Sequence, residues 1–294
     1  MSQLLNPQII VSIKNLQLAA KATIDSFMMG INKSNVKGQG LEFSQYRIYE
    51  PGDDLRWLDW KMYARSDRYY IRESEVDTSI SVRFLIDATN SMNHADSGYR
   101  KIDYAKYMAA CLGYLASTQG DAIGLYVFKE DGVFALPSKK DTQHLKRFYY
   151  QLETIEPQGK FTDPIHYKQL IAANKTRELL VVITDFYEEA GEMMQLLNSL
   201  ATYKNEILVL HVMGDNELTL NYDGYAYLED LETGQQVAIG SNTNKKDYTE
   251  QLQQHLSNIK QQLLNKGIAY TLINTKQPID KALKDFLNQR SKLI

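Results

Sequence analysis

From residue 78 onward the chain alternates short apolar runs with longer amphipathic patterns. Residues 179–183 and 207–210 are apolar, without the polar alternation that marks a half-buried strand. These runs are separated or flanked by helical patterns over residues 101–117, 190–203 and 248–264. Strands that are apolar on both faces and are connected by helices are typical of a parallel sheet covered on both sides. The sequence therefore predicts an α/β fold with a doubly wound, mostly parallel sheet.

The N-terminal part of the chain has a different character. Apolar residues at helical spacing predict an amphipathic helix over residues 6–29 that ends at Gly30. Residues 41–77 then combine both tryptophans, Trp57 and Trp60, with many charges of both signs. This charged aromatic segment is too polar for a core and too aromatic for plain surface, so we expect it to pack as a layer on the main domain.

The length of the chain is consistent with two parts, since domains contain about 150 residues each. We predict an N-terminal region over residues 1–77 and an α/β domain over residues 78–294. Two β-like runs over residues 224–239 indicate a small β-hairpin, which forms an insertion near residues 218–245.

Composition and charge exclude several classes of protein. The 33 basic and 36 acidic residues give a net charge of −3, which implies no strong attraction to nucleic acid. No apolar run approaches the length of about 20 residues that a membrane span needs. The N-terminus lacks a basic region followed by an apolar stretch, and Cys111 is the single cysteine, so neither a signal peptide nor an internal disulfide is expected. The prediction is a cytoplasmic protein.

Polar side chains follow the ends of two predicted strands. Asp87, Thr89 and Ser91 come after the first strand of the α/β domain, and Asp185 follows the run at residues 179–183. Thr162 lies in a loop before a predicted helix over residues 165–173. Each could simply cap a helix, as such residues commonly do. A parallel sheet, however, brings the carboxyl ends of its strands to one edge, where ligands bind. We therefore expect these five residues to form one site.

Carboxylate and hydroxyl oxygens suit a hard divalent cation. We expect Mg²⁺ at this site, with Mn²⁺ and Ca²⁺ as alternatives. Only Asp87 and Asp185 of the five predicted ligands carry charge, so the bound ion would remain electrophilic. Such an ion would attract an outside carboxylate, and we expect a Glu or Asp of a partner protein to supply it.

The Asp87-x-Thr89-x-Ser91 motif, together with Thr162 and Asp185, resembles the metal-ion-dependent adhesion site (MIDAS) of von Willebrand factor type A domains. The order of strands and helices over residues 79–274 is also similar to that of these domains, which are Rossmann-like. The first hydroxyl of the family is usually a serine, and here it is Thr89, which keeps the oxygen ligand.

The N-terminal segment resembles a more specific signature, that of the bacterial domain-of-unknown-function family 58 (DUF58). The matching residues are Gly38-x-Gly40-x-Glu42-Phe43, Tyr46-Arg47-x-Tyr49-x-Pro51-Gly52-Asp53-Asp54-x-Arg56-x-x-Asp59-Trp60 and Ala64-Arg65. This family couples the segment to a von Willebrand factor type A domain and commonly accompanies MoxR-type AAA+ ATPases. The resemblance implies an adaptor that works with such an ATPase or recruits its clients.

The leading hypothesis is a non-enzymatic, metal-dependent protein-interaction module, since the sequence shows no catalytic base or nucleophile set beside the predicted ligands. One alternative is a Mg²⁺-dependent phosphoryl hydrolase with Asp87 as its nucleophile, although Thr89 stands where haloacid-dehalogenase-type enzymes carry a second aspartate. Another alternative keeps only the tryptophan- and arginine-rich segment as a binding surface and leaves the strand-end site without a metal.

Overall fold

The structure is a computed structural model, and it describes residues 15–34, 45–51, 53, 58–73, 79–96, 98–161, 178–188, 191–201, 205–220, 226–229, 231, 234, 236–239 and 242–290. The described helices are α1 Leu16–Ser34, α2 Trp60–Ser66, α3 Lys101–Thr118, α4 Thr142–Glu153, α5 Glu192–Leu200, α6 Asp215–Thr219, α7 Asn242–Leu264 and α8 Ile279–Arg290. The described strands are β1 Gln45–Ile48, β2 Tyr70–Glu73, β3 Ser81–Asp87, β4 Ala95–Asp96, β5 Tyr99–Arg100, β6 Ala122–Lys129, β7 Gly132–Lys139, β8 Glu178–Thr184, β9 Glu206–Met213, β10 Ala226–Glu229, β11 Gln236–Ile239 and β12 Ala269–Asn274.

The main sheet has six strands in the described part of the chain, in the order β12-β9-β8-β3-β6-β7. Every neighbouring pair is parallel except β6 and the edge strand β7, which form an antiparallel hairpin. From the central strand β3 the chain first builds outward through β6 and β7, and it then returns to β8 on the other side of β3. The predicted doubly wound, mostly parallel α/β fold is confirmed.

Helices cover both faces of the sheet, which explains the continuous apolar strands. Phe84 and Ile86 of β3 pack into one core cluster, which also contains Ile102 of α3 and Ile24 of α1. Their neighbour Leu85 packs into the second cluster, with residues of α5 and α7 that include Leu196, Leu197, Ile259 and Leu263. Successive side chains of a strand point to opposite faces, so β3 must be apolar at consecutive positions.

Most predicted elements are present, but several helix boundaries were wrong. Helix α1 continues past Gly30 to Ser34, because a glycine inside a helix costs only about 1 kcal/mol and does not by itself end it. Helix α5 begins at Glu192 rather than 190, since Gly191 has a left-handed φ of 70°. Helix α7 begins at Asn242 rather than 248, through polar residues that the apolar pattern did not include. The predicted helix over residues 165–173 lies outside the described residues.

The chain divides into two compact units, one over residues 28–79 and the other over the remaining residues. The smaller unit contains the antiparallel pair β1 and β2, and helix α2, which Asp59 caps by accepting hydrogen bonds from two backbone amides. The first turns of α1 belong to the larger unit. In that unit the predicted hairpin insertion is present as the antiparallel pair β10 and β11. No helix in the described ranges is both long enough and apolar enough to cross a bilayer.

Candidate functional site

The candidate site lies at the carboxyl ends of β3 and β8, where the winding of the sheet reverses. Asp87 is the last residue of β3, and Asp185 directly follows Thr184 at the end of β8. The parallel register pairs Ile86 with Ile183, so these two strand ends lie side by side. In open α/β sheets the crevice at such a reversal is the usual place for ligands.

The hydroxyl residues reach the same point from the turn that follows β3. A short 3₁₀ helix over Asn90–Asn93 carries Ser91, and Thr89 immediately precedes it. The hydroxyls of Thr89 and Ser91 lie 3.0 Å apart, and Ser91 Oγ donates a hydrogen bond of 3.1 Å to Asp185 Oδ1. Asp87 lies at the same edge of the sheet, so four of the five predicted ligands are buried there. The fifth, Thr162, lies outside the described residues.

Asp87 is held by two hydrogen bonds, one to each carboxylate oxygen. The backbone amide of Thr89 donates to Oδ1 at 3.0 Å, and the hydroxyl of Thr184 donates to Oδ2 at 2.7 Å. Thr184 was not among the predicted site residues, although the sequence places it next to Asp185. Its role depends on the pairing of β3 with β8, which the sequence does not show.

A loop around Gly159 fixes the backbone that carries the hydroxyls. The amide of Asn90 donates to the carbonyl oxygen of Gly159, and the amide of Gln158 donates to that of Ala88, both at 2.8 Å. Gly159 has a φ of 64°, and a Cβ atom there would collide with the side chain of Glu130. A glycine therefore suits this point of the loop, where the backbone has a positive φ and passes close to the side chain of Glu130.

The site concentrates negative charge. Burial raises the pKa of Asp87 to about 6, and the nearby charge of Asp185 adds to this effect. Burial likewise raises the pKa of Glu188 to about 8, with contributions from the charges of Asp87 and Asp185. Each upward shift means that burial and the neighbouring carboxylates disfavour the ionised form of the group. A cation placed among these groups would relieve the repulsion.

The protein itself supplies one such cation, the ammonium of Lys101, at the first position of α3. Its Nζ lies 2.6 Å from Asp185 Oδ2 and 2.9 Å from Glu217 Oε1. Burial lowers the pKa of Lys101, but the charges of the two carboxylates outweigh this effect and the net shift is upward. Lys101 was not among the predicted site residues, and its ammonium adds a positive charge to the two carboxylates of the predicted ligand set. One signal in the sequence was a lysine at the start of a helix, where an acidic residue is favoured.

The oxygen set fits a hard divalent cation. The hydroxyls of Thr89 and Ser91 and the Oδ1 atom of Asp185 could hold such an ion, while Asp87 lies beside them and contributes charge. No three His, Cys, Asp or Glu side chains gather in a metal-binding group within the described ranges, so an ion at this edge would depend on the hydroxyl oxygens.

Other reactive residues of the larger unit have structural surroundings. Cys111 is fully buried, and burial raises the pKa of its thiol. His144 Nε2 lies 2.7 Å from the carbonyl oxygen of Ile123, and His211 Nδ1 lies 2.9 Å from the hydroxyl of Tyr270. Burial lowers the pKa of His211 to about 4.

The smaller unit presents a group of aromatic side chains. Tyr63 stacks on Tyr69 with ring centroids 4.5 Å apart, and Trp60 meets Tyr63 edge to face. Trp60 is 64% exposed. Trp57 and Arg56, which the sequence also placed in this layer, lie outside the described residues. The use of the segment as a binding surface stays a prediction.

Comparison with known proteins gives a family match and several more distant likenesses. A family model described as "Protein of unknown function DUF58" matches residues 45–258. An uncharacterized protein of Mycobacterium tuberculosis, Rv1480, is 25% identical over 232 residues, which cover 78% of this chain and 73% of that protein. An uncharacterized protein of Mycobacterium bovis, Mb1516, has the same identity and coverage.

Among solved structures, the conserved hypothetical protein BatB of Bacteroides thetaiotaomicron matches with 19% identity and a TM-score of 0.45, over 73% of this chain and all of that one. The SpRpn10 VWA domain matches with 10% identity and a TM-score of 0.43, over 71% of this chain and 95% of that one.

Proposed function

The chain belongs to the DUF58 family, and we propose that it is a non-enzymatic protein-interaction module that binds an acidic side chain of a partner through a divalent cation. Mg²⁺ is the expected ion, with Mn²⁺ and Ca²⁺ as alternatives. The observation that carries the proposal is the row of oxygens from Thr89 through Ser91 to Asp185, with successive separations of 3.0 and 3.1 Å at the reversal of the sheet.

Some residues of the site supply oxygen atoms at the proposed ion, and others hold a negative charge beside it. The hydroxyls of Thr89 and Ser91 offer neutral oxygens, and Asp185 offers a charged one. Thr184 and the amide of Thr89 hold Asp87, so that its charge stays beside the row of oxygens. The ion, when bound, supplies an electrophilic position for the carboxylate of the partner.

The expected partner is a MoxR-type AAA+ ATPase or a client protein of that ATPase. The support for this part of the proposal is the resemblance of the N-terminal segment to a family that commonly accompanies such ATPases. It is tested by pull-down of a MoxR-type ATPase with the full chain, in Mg²⁺ and again in excess EDTA. Capture that does not depend on Mg²⁺ would contradict a metal-mediated contact.

The metal site is tested by calorimetric titration of Mn²⁺ into the wild type and into Ser91→Ala. Loss of the central hydroxyl should weaken binding by at least about tenfold, since changes near a metal site typically cost 10–100-fold. Ser66→Ala is a matched control, because its hydroxyl bonds to a carbonyl of α2 in the other unit. Equal affinity in the wild type and Ser91→Ala would count against the proposal. Hydrolysis of a phosphate ester by the wild type, abolished in Asp87→Asn, would favour the phosphoryl hydrolase instead.

A further inference from the structure

Lys101 places a positive charge inside the oxygen cluster. Its side chain is 1% exposed and contacts the carboxylates of Asp185 and Glu217. The ring of Tyr187 lies on another side of the ammonium, with 4.7 Å between Nζ and the ring centroid. Lysines are almost never fully buried unless they are paired. The ammonium is thus an integral part of the site.

Asp185 serves two groups at once. Its Oδ1 atom accepts a hydrogen bond from Ser91 at 3.1 Å, and its Oδ2 atom contacts the ammonium of Lys101 at 2.6 Å. A divalent cation on the row of hydroxyls would therefore share this carboxylate with Lys101. Two positive charges that share one carboxylate repel each other, and the repulsion is strong because the site is buried.

Glu217 offers the ammonium a second partner that is itself fixed. Its Oε1 atom lies 2.9 Å from Lys101 Nζ, while its Oε2 atom accepts a hydrogen bond of 2.5 Å from the amide of Gly214. The backbone at the start of α6 thus holds this carboxylate in place. Lys101 can keep one carboxylate contact while Asp185 is drawn to another cation.

We infer that Lys101 is a built-in competitor of the divalent cation: it neutralises Asp185 when no metal is bound and thereby lowers the metal affinity of the site. Glu217 is its alternative partner. The inference rests on the proposed metal-dependent function and adds a regulatory element, since the protein sets its own threshold for metal occupancy. A charge at this range changes the equilibrium of a neighbouring ionic group by about tenfold or more. Removal of the ammonium should therefore tighten metal binding by on the order of tenfold.

The test is calorimetric titration of Mn²⁺ into the full chain with three variants. Lys101→Met removes the ammonium and keeps a side chain of similar length. The double variant Lys101→Met/Glu217→Gln removes one charge of each sign, so the net charge of the cluster stays the same while the competitor on Asp185 is lost. Lys276→Met is the matched control, because Lys276 pairs with Asp215 of α6 at 2.9 Å outside the oxygen cluster.

Tighter Mn²⁺ binding in both Lys101 variants, with unchanged binding in Lys276→Met, supports the inference, since a merely structural role of Lys101 would weaken binding. The double variant decides the question if Lys101→Met alone does not fold. Equal or weaker affinity in the Lys101 variants, with binding retained in the wild type, would overturn the role of Lys101 and leave the metal-dependent function standing. No Mn²⁺ binding in the wild type or any variant would overturn both.

Discussion

Replacement of Asp87 by asparagine should stabilise the metal-free protein at neutral pH, although Asp87 belongs to the proposed site. The pKa of Asp87 rises from 3.8 to about 6 on folding, because the carboxylate is buried and lies near Asp185. Each pKa unit corresponds to about 1.4 kcal/mol, so the ionised carboxylate destabilises the fold by about 3 kcal/mol above pH 6. An asparagine has the same shape, can still accept from the Thr89 amide, and avoids this cost.

The pH dependence of the free energy of unfolding provides a second test of this prediction. Between about pH 3.8 and pH 6 the folded state of the wild type binds the Asp87 proton and the unfolded state does not, so its stability falls as the pH rises through this range. Above pH 6 this contribution is constant. The stability difference between Asp87→Asn and the wild type should therefore open from near zero at about pH 4 to about 3 kcal/mol at about pH 6. It should grow further toward about pH 8, where Glu188 ionises, because the Asp87 charge helps to raise the pKa of Glu188 in the wild type alone.

The assay is urea unfolding of both proteins in EDTA across this pH range. In excess Mg²⁺ the difference should shrink or reverse, since an ion bound to the folded wild type stabilises it by mass action. A difference that does not vary with pH, or an Asp87→Asn variant that is less stable than the wild type at neutral pH, would refute the reasoning. It would mean that the hydrogen bonds from Thr89 and Thr184 outweigh the electrostatic cost of burial.

Three further predictions concern the stability and packing of the larger unit. Glu178→Ala should lower the free energy of unfolding in urea by about 3–5 kcal/mol, because it removes the carboxylate that lies 2.8 Å from the buried guanidinium of Arg83. The double variant Arg83→Met/Glu178→Leu should recover most of this stability, and an equal loss in both variants would contradict the prediction. Gly159→Ala should lower the free energy of unfolding by about 1–3 kcal/mol, because of strain at positive φ and collision with Glu130. It should also weaken Mn²⁺ binding, and unchanged Mn²⁺ affinity would show that the loop does not position the hydroxyls. Cys111 should resist a thiol reagent in the native protein and react once unfolded, because it is buried and its pKa is raised; rapid native labelling would disprove its burial.

The strands and helices of the larger unit were predictable because their signal is local. A run such as residues 179–183 is apolar at consecutive positions, and this pattern alone indicates a strand covered on both faces. The ends of helices were less predictable where the residue at the boundary was polar or a glycine. The helix pattern could not show that Gly191 adopts a left-handed conformation or that Gly30 stays helical.

The meeting of Asp87, Thr89, Ser91 and Asp185 was also predictable, because each of the four ends or follows a strand and a parallel sheet must collect its strand ends at one edge. The order of the strands then decided which ends are neighbours. Placement of β8 beside β3 brought Thr184 to Asp87, and no motif in the sequence links these two residues.

The sequence by itself determined the class of fold and the row of neutral and charged oxygens, since periodicity and strand ends are written in neighbouring residues. Only the tertiary structure decided the charge of the site. Lys101 lies 84 residues from Asp185 and 116 residues from Glu217 along the chain. Their meeting depends on how α3 and α6 approach the same edge of the sheet, and Coulomb interactions depend on distance in space and not on separation in sequence.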